Sequence, residues 1–302
     1  MDVDYFLKLL VSGLTRGSIY ALIALGYTMV YGIVQLINFA HGEIYMIGAF
    51  TALIVATALN MIGLPGLAVF GISMVVAIIY SAAYGFTMEK IAYKPLRDAP
   101  RLSALISAIG MSFFLQNYVL LAQTPDFLSF PRLIPRFGFL GGIGTYISSA
   151  QVVIFGVTAV VMVFLTIFIK FTLIGKAMRA TAQDKTMALL VGININQVIA
   201  VTFIIGSSMA AIGGVLISSH VGQINFFIGF IAGIKAFVAA VLGGIGSIPG
   251  AVLGSFVLGL TESFGAGYIS SDYEDVFAFI ILVLILTFRP SGLLGKSQKE
   301  KI

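Results

Sequence analysis

Apolar residues form long runs along this chain, and most charged residues lie in the short stretches between those runs. A run of about 20 mostly apolar residues is long enough to cross a lipid bilayer as an α-helix. The runs predict membrane-spanning helices at roughly 17–35, 43–59, 66–88, 102–121, 149–170, 197–219 and 274–289. Residues 1–16 are interpreted as a short amphipathic helix that leads into the first span.

One further apolar stretch, residues 231–265, is interrupted by the glycine-rich segment 243–250. Each half is short for a complete crossing, so we interpret the halves as two short or re-entrant helices that meet at a turn. Irregular backbone at membrane depth needs protein or a wet cavity around it, because lipid offers no hydrogen-bond partners. The pattern predicts an all-α polytopic membrane protein, one transmembrane domain over 1–302, with eight to nine transmembrane or re-entrant helices.

The composition agrees with a chain that has lipid as its main solvent. It is 59% hydrophobic and 10% charged, whereas soluble domains carry about 25% charged residues. No cysteine is present, and the two histidines, His41 and His220, do not form a metal-binding motif. No nucleophile–base set and no phosphate-binding loop are visible. We therefore expect no enzyme activity and no cofactor, and a pump built on this chain would need a separate ATPase.

Basic residues concentrate in two loops and the C-terminal tail, which together hold 12 of the 17. Basic loops next to membrane spans stay in the cytoplasm, so these segments and the C-terminus are predicted to be cytoplasmic and the loop 122–148 to face outward. No basic surface exists away from the membrane, so membrane lipid is the expected contact and nucleic acid is not. The twelve are Lys90, Lys94, Arg97, Arg101, Lys170, Lys176, Arg179, Lys185, Arg289, Lys296, Lys299 and Lys301.

Residues 37–52 and 224–239 match at nine of 16 positions at a fixed offset of 187. This similarity predicts an internal repeat with copies near 17–88 and 197–289, inverted relative to each other. Duplicated transporter halves commonly place the solute path at the repeat interface, with interrupted helices around it.

Polar residues within apolar runs are costly and are functional candidates by default. Asn38 and Asn225 are interpreted as helix caps, with direct solute contact as the alternative. His41 and Glu43 are interpreted as part of a water-exposed interfacial loop, or else of the path. Lys235 and Glu262 also interrupt apolar runs, and Glu262 is expected near a helix end that reaches water. The candidates for the translocation path are Asn38, His41, Glu43, Asn225, Gly243, Gly244 and Gly246.

The second basic loop, residues 171–195, has helix-forming composition from 175 to 191 and no proline. Gly192 is placed to end this helix. The small residues Ala180, Ala188 and Gly192 form a narrow face that another surface can approach closely. The segment is interpreted either as a docking helix for a soluble partner or as a solvated linker.

Four stretches of the chain, 20–50, 90–117, 179–194 and 229–251, resemble the permease subunits of bacterial ABC importers for branched-chain amino acids. The likeness runs nearly end to end and includes YALIALGYTMVYGIVQLINFAHGEIYMIGAF and RATAQDKTMALLVGIN. It implies a permease subunit in a bacterial inner membrane. It also implies a second homologous permease as heterodimer partner, two cytoplasmic ATP-binding subunits and a periplasmic amino-acid-binding protein.

The resemblance further implies that loop 171–195 couples the permease to an ATPase. The coupling residues would be Arg179, Ala182, Asp184, Ala188 and Gly192. A stand-alone secondary transporter or channel is the main alternative. It should show intramembrane carboxylates or a coupling-ion site, and these are sparse in the sequence. A non-transporting anchor is a third hypothesis, but it would not require repeated, broken helices.

Overall fold

The computed structural model describes residues 3–97, 99–138, 144 and 146–295. Seven helices within this part are long and apolar enough to cross a membrane: α1–α5, α8 and α10. This confirms the predicted all-α polytopic class. The helices are α1 (Val3–Val34), α2 (His41–Met61), α3 (Gly66–Met88), α4 (Arg101–Ala122), α5 (Ser149–Phe171), α6 (Leu173–Gln183), α7 (Lys185–Leu190), α8 (Ile195–Val221), α9 (Ile228–Gly243), α10 (Ile248–Tyr268) and α11 (Glu274–Phe288).

The interpretation of residues 1–16 as a separate leading helix is wrong, because α1 continues without a break through its 32 residues. Its N-terminal half packs closely against α10. A Cβ on Gly13 would lie 2.9 Å from the Cα of Leu260, and one on Gly17 would lie 2.9 Å from the Cα of Phe256. Small residues that let backbones approach this closely are typical of helix packing inside membranes.

The apolar stretch around the glycine-rich break forms helices of unequal length. α9 has 16 residues, as expected for a short or re-entrant helix, but α10 has 21 and is long enough to cross the bilayer. The predicted span 274–289 corresponds to α11, whose 15 residues rise only about 22 Å. α11 is therefore shorter than a straight crossing requires.

The described parts of the basic segments lie together at one end of the helix bundle. Lys185 donates a hydrogen bond to the carbonyl of Val34 at the end of α1, 3.2 Å away. The Arg97 guanidinium donates a hydrogen bond to Oδ1 of Asn196, in the first turn of α8. The turn between α9 and α10 packs on residues 291–295. We call this end the basic end. The tail residues Lys296, Lys299 and Lys301 lie outside the described residues.

The opposite end holds the start of α1 and the long loop after α4. Tyr5 donates to the carbonyl of Gly267 (2.7 Å), and Tyr146 donates to Asp4 (2.7 Å). The short strands β1 (Leu128–Ser129) and β2 (Gln223–Ile224) pair antiparallel here. The described parts of the loop 122–148, which is predicted to face outward, thus lie away from the basic segments.

Two pairs of helix boundaries are separated by the same 187 residues as the two copies of the predicted repeat. α1 and α8 end at Val34 and Val221, and α2 and α9 begin at His41 and Ile228, both 187 residues apart. The first helix of each copy also packs on a later helix of the other copy: α1 packs on α10, and α8 packs on α3. α1 and α8 run antiparallel, with Gly26 near Gly206 and Ile23 near Gly213. These features agree with an inverted repeat, which stays a prediction.

Candidate translocation site and coupling loop

The N-termini of α2 and α9 meet inside the protein. A Cβ on Gly42 would lie 2.7 Å from the Cα of Gly233, and one on Gly229 would lie 2.8 Å from the carbonyl oxygen of Gly42. The rings of His41 and Tyr27 lie 4.8 Å apart, so α2 begins beside the body of α1, about 10 Å before its end. The first turns of both helices, neither of which has a side-chain cap, therefore lie at membrane depth.

Glu43 lies at this meeting point, in the first turn of α2, and is fully buried. Its Oε1 accepts a hydrogen bond from the hydroxyl of Ser112 on α4, 3.0 Å away. Its Oε2 points to Gly229 in the first turn of α9 and has no hydrogen-bond partner among the described residues. Helix N-termini carry partial positive charge, so two of them lie beside the Glu43 carboxyl group, which forms no ion pair with any residue that the structure describes.

Asn38 and His41 extend the polar cluster around Glu43. The hydroxyl of Tyr93, which follows α3, donates to Oδ1 of Asn38 at 2.6 Å. Nδ2 of Asn38 and Nε2 of His41 have no hydrogen-bond partner in the described part of the chain. Buried polar atoms are normally paired with protein or ordered water. The cluster therefore retains unused hydrogen-bonding capacity in the middle of the bundle.

The interpretation of His41 and Glu43 as a water-exposed loop is wrong, because both side chains are buried. Asn38 does not cap a helix with its side chain, since its Oδ1 is occupied by Tyr93. The cap interpretation is also wrong for Asn225, because α9 has no side-chain cap; Asn225 Oδ1 accepts from the N–H of Phe227, at 3.1 Å, in the turn before the helix. Equivalent positions in the predicted repeat thus make different contacts.

A second group of polar side chains is an ion network between α1, α9, α10 and α11, in which Lys235 and Glu262 are buried and Asp275 is exposed. Nζ of Lys235 lies 3.3 Å from Glu262, 2.9 Å from Glu274 and 2.8 Å from Asp275. Arg16 also pairs with Glu274, at 2.5 Å. The expectation that Glu262 reaches water is wrong, because its side chain is fully buried within α10. It is retained there by Lys235 and by the hydroxyl of Tyr20, 2.7 Å away.

The glycines of the break lie at the basic end, away from Glu43. α9 ends at Gly243, and Gly244 and Gly246 have φ angles of +101° and +92°, which side chains rarely adopt. The backbone here is satisfied by the C-terminal segment, since the N–H groups of Leu293 and Leu294 each donate, at 2.9 Å, to α9 carbonyls. The structure therefore does not place these glycines with Asn38, His41 and Glu43.

Loop 171–195 forms two helices, and the prediction of a single helix over 175–191 is wrong. The helix is interrupted at Asp184, which separates α6 from α7. The Asp184 side chain accepts a hydrogen bond from the N–H of Met187 (3.0 Å) and caps α7. Gly192, at φ +85°, ends α7 as expected. Arg179 donates to the carbonyl of Ile169 and anchors α6 to the end of α5.

The small face proposed for docking is only partly accessible. Ala188 is 2% exposed and packs inside the chain, because the break at Asp184 turns α7. Ala182 and Gly192 remain exposed. Beyond the exposed Lys185 and Thr186, the surface at the end of α7 is instead apolar, which the sequence analysis did not predict; we call it the α7 patch. It consists of Met187, Leu189, Leu190 and Val191, which are 59–75% exposed.

Sequence reasoning also missed Tyr93 and Ser112, which bond Asn38 and Glu43. Tyr93 lies in a predicted loop and Ser112 in a predicted span. Nothing in the neighbouring sequence distinguishes them from other residues with a hydroxyl group. Their roles depend on contacts between residues 55 and 69 positions apart in the chain. The pairing of Lys235 with Asp275 is likewise a tertiary feature.

The sequence is similar to known transport proteins over its whole length. It is 52% identical to the high-affinity branched-chain amino acid transport system permease protein BraD of Pseudomonas aeruginosa, over 100% of this chain and 99% of that protein. It is 49% identical to the permease protein LivH of the same kind of system in Escherichia coli, over 99% and 98%. A probable LivH of Methanocaldococcus jannaschii is 25% identical over 97% and 94%.

A family model agrees with these relatives. The model of the branched-chain amino acid transport system permease component matches residues 9–286. The matched range includes both polar clusters, the glycine-rich break and loop 171–195. The chain belongs to the family of permease components of branched-chain amino acid transport systems.

Proposed function

We propose that this chain is the transmembrane permease subunit of an ABC importer that carries leucine, isoleucine and valine across a bacterial inner membrane. The observation that carries the proposal is 52% identity, over the full length of both chains, to a permease protein of such a system. The scarcity of charge in the spans suits a solute that is neutral overall and has an apolar side chain. The basic end would face the cytoplasm.

The proposed partners are a second homologous permease, two cytoplasmic ATP-binding subunits and a periplasmic amino-acid-binding protein. Loop 171–195 would dock on an ATP-binding subunit through Ala182, Gly192 and the α7 patch. Exposed apolar side chains on a loop outside the membrane favour a protein contact. Asp184 and Arg179, which are exposed, would stabilise this surface, Asp184 by capping α7 and Arg179 by holding α6 to the end of α5. Ala188, being buried, would act through packing only.

The translocation path would form around the meeting N-termini of α2 and α9. Interrupted helices whose N-termini meet at membrane depth are typical of transporters that alternate between two open states. Asn38, His41 and Glu43 supply unpaired polar atoms there, and Asn225 shapes the start of α9. Gly243, Gly244 and Gly246 would serve as the joint between α9 and α10 on the cytoplasmic side, transmitting the movement of the ATP-binding subunits.

The proposal is tested by reconstituting the complete complex in liposomes and measuring leucine accumulation. We expect accumulation only when ATP, both permeases, the ATP-binding subunits and the binding protein are all present. Omitting any one should reduce accumulation to the level of empty liposomes. If this chain alone concentrated leucine, the proposal would fail and a stand-alone transporter would be indicated.

Replacing Leu190 with glutamate should uncouple the permease from its ATP-binding subunit. The side chain is 75% exposed, so folding should be preserved, while a charge in an apolar protein contact lowers affinity by roughly a hundredfold. The measurement is retention of the ATP-binding subunit on the purified permease. The matched control is Gln183→Glu, which adds the same charge at an exposed, already polar position. Equal retention in both variants would exclude the α7 patch.

A further inference from the structure

A cavity of about 250 Å³ lies between α9 and α11, separate from the Glu43 cluster. Its walls are apolar and partly aromatic, with Phe230, Ile231 and Ile234 from α9 facing Ala278 and Phe279 of α11. Water occupies ~30 Å³ per molecule in the liquid, so the cavity has room for about eight water-sized groups. That is the scale of one branched-chain amino acid.

Among the described residues, the charged side chains that line the cavity are one cation and one anion, Lys235 and Asp275. Nζ of Lys235 and Oδ1 of Asp275 are 2.8 Å apart. The Lys235 side chain is 10% exposed and is held on its other side by Glu262 and Glu274, whereas the Asp275 side chain is 61% exposed. The cation is therefore fixed, and the anion is free to swing away from it.

This arrangement matches the chemistry of a zwitterion with an apolar side chain. The carboxylate of an α-amino acid can replace Asp275 at Lys235, and its ammonium can then bind the displaced Asp275 carboxylate. One ion pair is opened and two are formed, so no charge is left unpaired. The side chain fills the apolar part of the cavity, where small-molecule sites obtain most of their contact area.

The location fits an early stage of import. Asp275 follows the turn 271–273, and the ion network includes Arg16 in the N-terminal half of α1. Both lie toward the end of the bundle opposite the basic end. We propose that the cavity between α9 and α11 binds the zwitterionic branched-chain amino acid on its way into the membrane, with Lys235 on the carboxylate and Asp275 on the ammonium. This inference rests on the proposed function.

The test uses cysteine labelling, since the chain contains no cysteine of its own. Ile231→Cys places a thiol in the cavity wall, and Ser271→Cys places one on the nearby exposed turn as a control. In the assembled complex, leucine at ten times its dissociation constant should slow maleimide labelling at position 231 roughly tenfold and leave position 271 unchanged. 4-Methylpentanoate and isopentylamine, which each lack one charge, should not protect at the same concentration.

A second variant tests the charged end. Asp275→Asn should raise the leucine concentration needed for half-protection of Ile231→Cys by about tenfold, because a charge-assisted bond to the ammonium is lost. Asp272→Asn, also exposed and three residues earlier, should not change it. Retention of the partner subunits on the purified Asp275→Asn complex shows that its fold is intact.

The outcomes separate the inference from the proposed function. Leucine uptake by the unmodified complex without protection at position 231 would overturn the inference and leave the function standing. Labelling at position 231 that the second permease or lipid blocks without leucine would also overturn it. Absence of leucine uptake by the unmodified complex would instead count against the proposed function.

Discussion

Replacing Lys235 with methionine should lower the free energy of unfolding by about 3–5 kcal/mol, the effect of removing one partner from a buried ion pair. Lys235 is the cation nearest to the fully buried Glu262, 3.3 Å away, and Arg16 is more distant at 3.9 Å. Methionine preserves the apolar stem of lysine and removes the charge. The measurement is the midpoint of thermal aggregation of the purified protein in detergent.

The paired variant identifies the cause of this loss. Lys235→Met combined with Glu262→Gln removes both charges and should recover more than half of the stability, because no unpaired charge then remains buried. Lys176→Met, at an exposed position on α6, should change stability by less than about 0.5 kcal/mol. A double variant no more stable than Lys235→Met would show that packing, and not charge, explains the effect.

The sequence pattern was sufficient to predict the membrane class and most spans. Hydrophobic length decides these features, because lipid leaves the backbone few options. The break at Asp184 also had a local signal, since an aspartate before a short helical run is a preferred cap. When this capping signal is not considered, the composition predicts a single helix for the loop, and Ala188 is placed on the exposed face instead of the buried one.

The burial of His41 and Glu43 could not be predicted from local sequence. Ala-His-Gly-Glu between two apolar runs has the composition of an exposed connector. The connector is buried because residues 35–40 return along α1, and α2 begins against α9, far away in the chain. The same holds for Glu262, whose partners lie on two other helices, α1 and α9. Such positions are fixed by tertiary packing, which a single sequence does not display.

Gly42→Ala should disrupt the junction of α2 and α9 although it adds a single methyl group. The new Cβ would overlap the backbone of Gly229 and Gly233, and backbone cannot move aside as a flexible side chain does. Overpacking of this kind lowers stability by about 1–3 kcal/mol or more. The measurements are the aggregation midpoint of the purified chain and leucine uptake by the complex, and both should fall.

Gly71→Ala is the matched control, because Gly71 lies within α3 and its Cβ would meet no atom within 4 Å. Alanine is the better helix former, by roughly 0.8–1 kcal/mol, so this variant should be as stable as the parent or more so. Gly229→Ala should be as damaging as Gly42→Ala, since its Cβ would lie 2.8 Å from the carbonyl oxygen of Gly42. If Gly42→Ala and Gly71→Ala behaved alike, the two helix N-termini would not be in contact, and the path proposed around them would lose its structural basis.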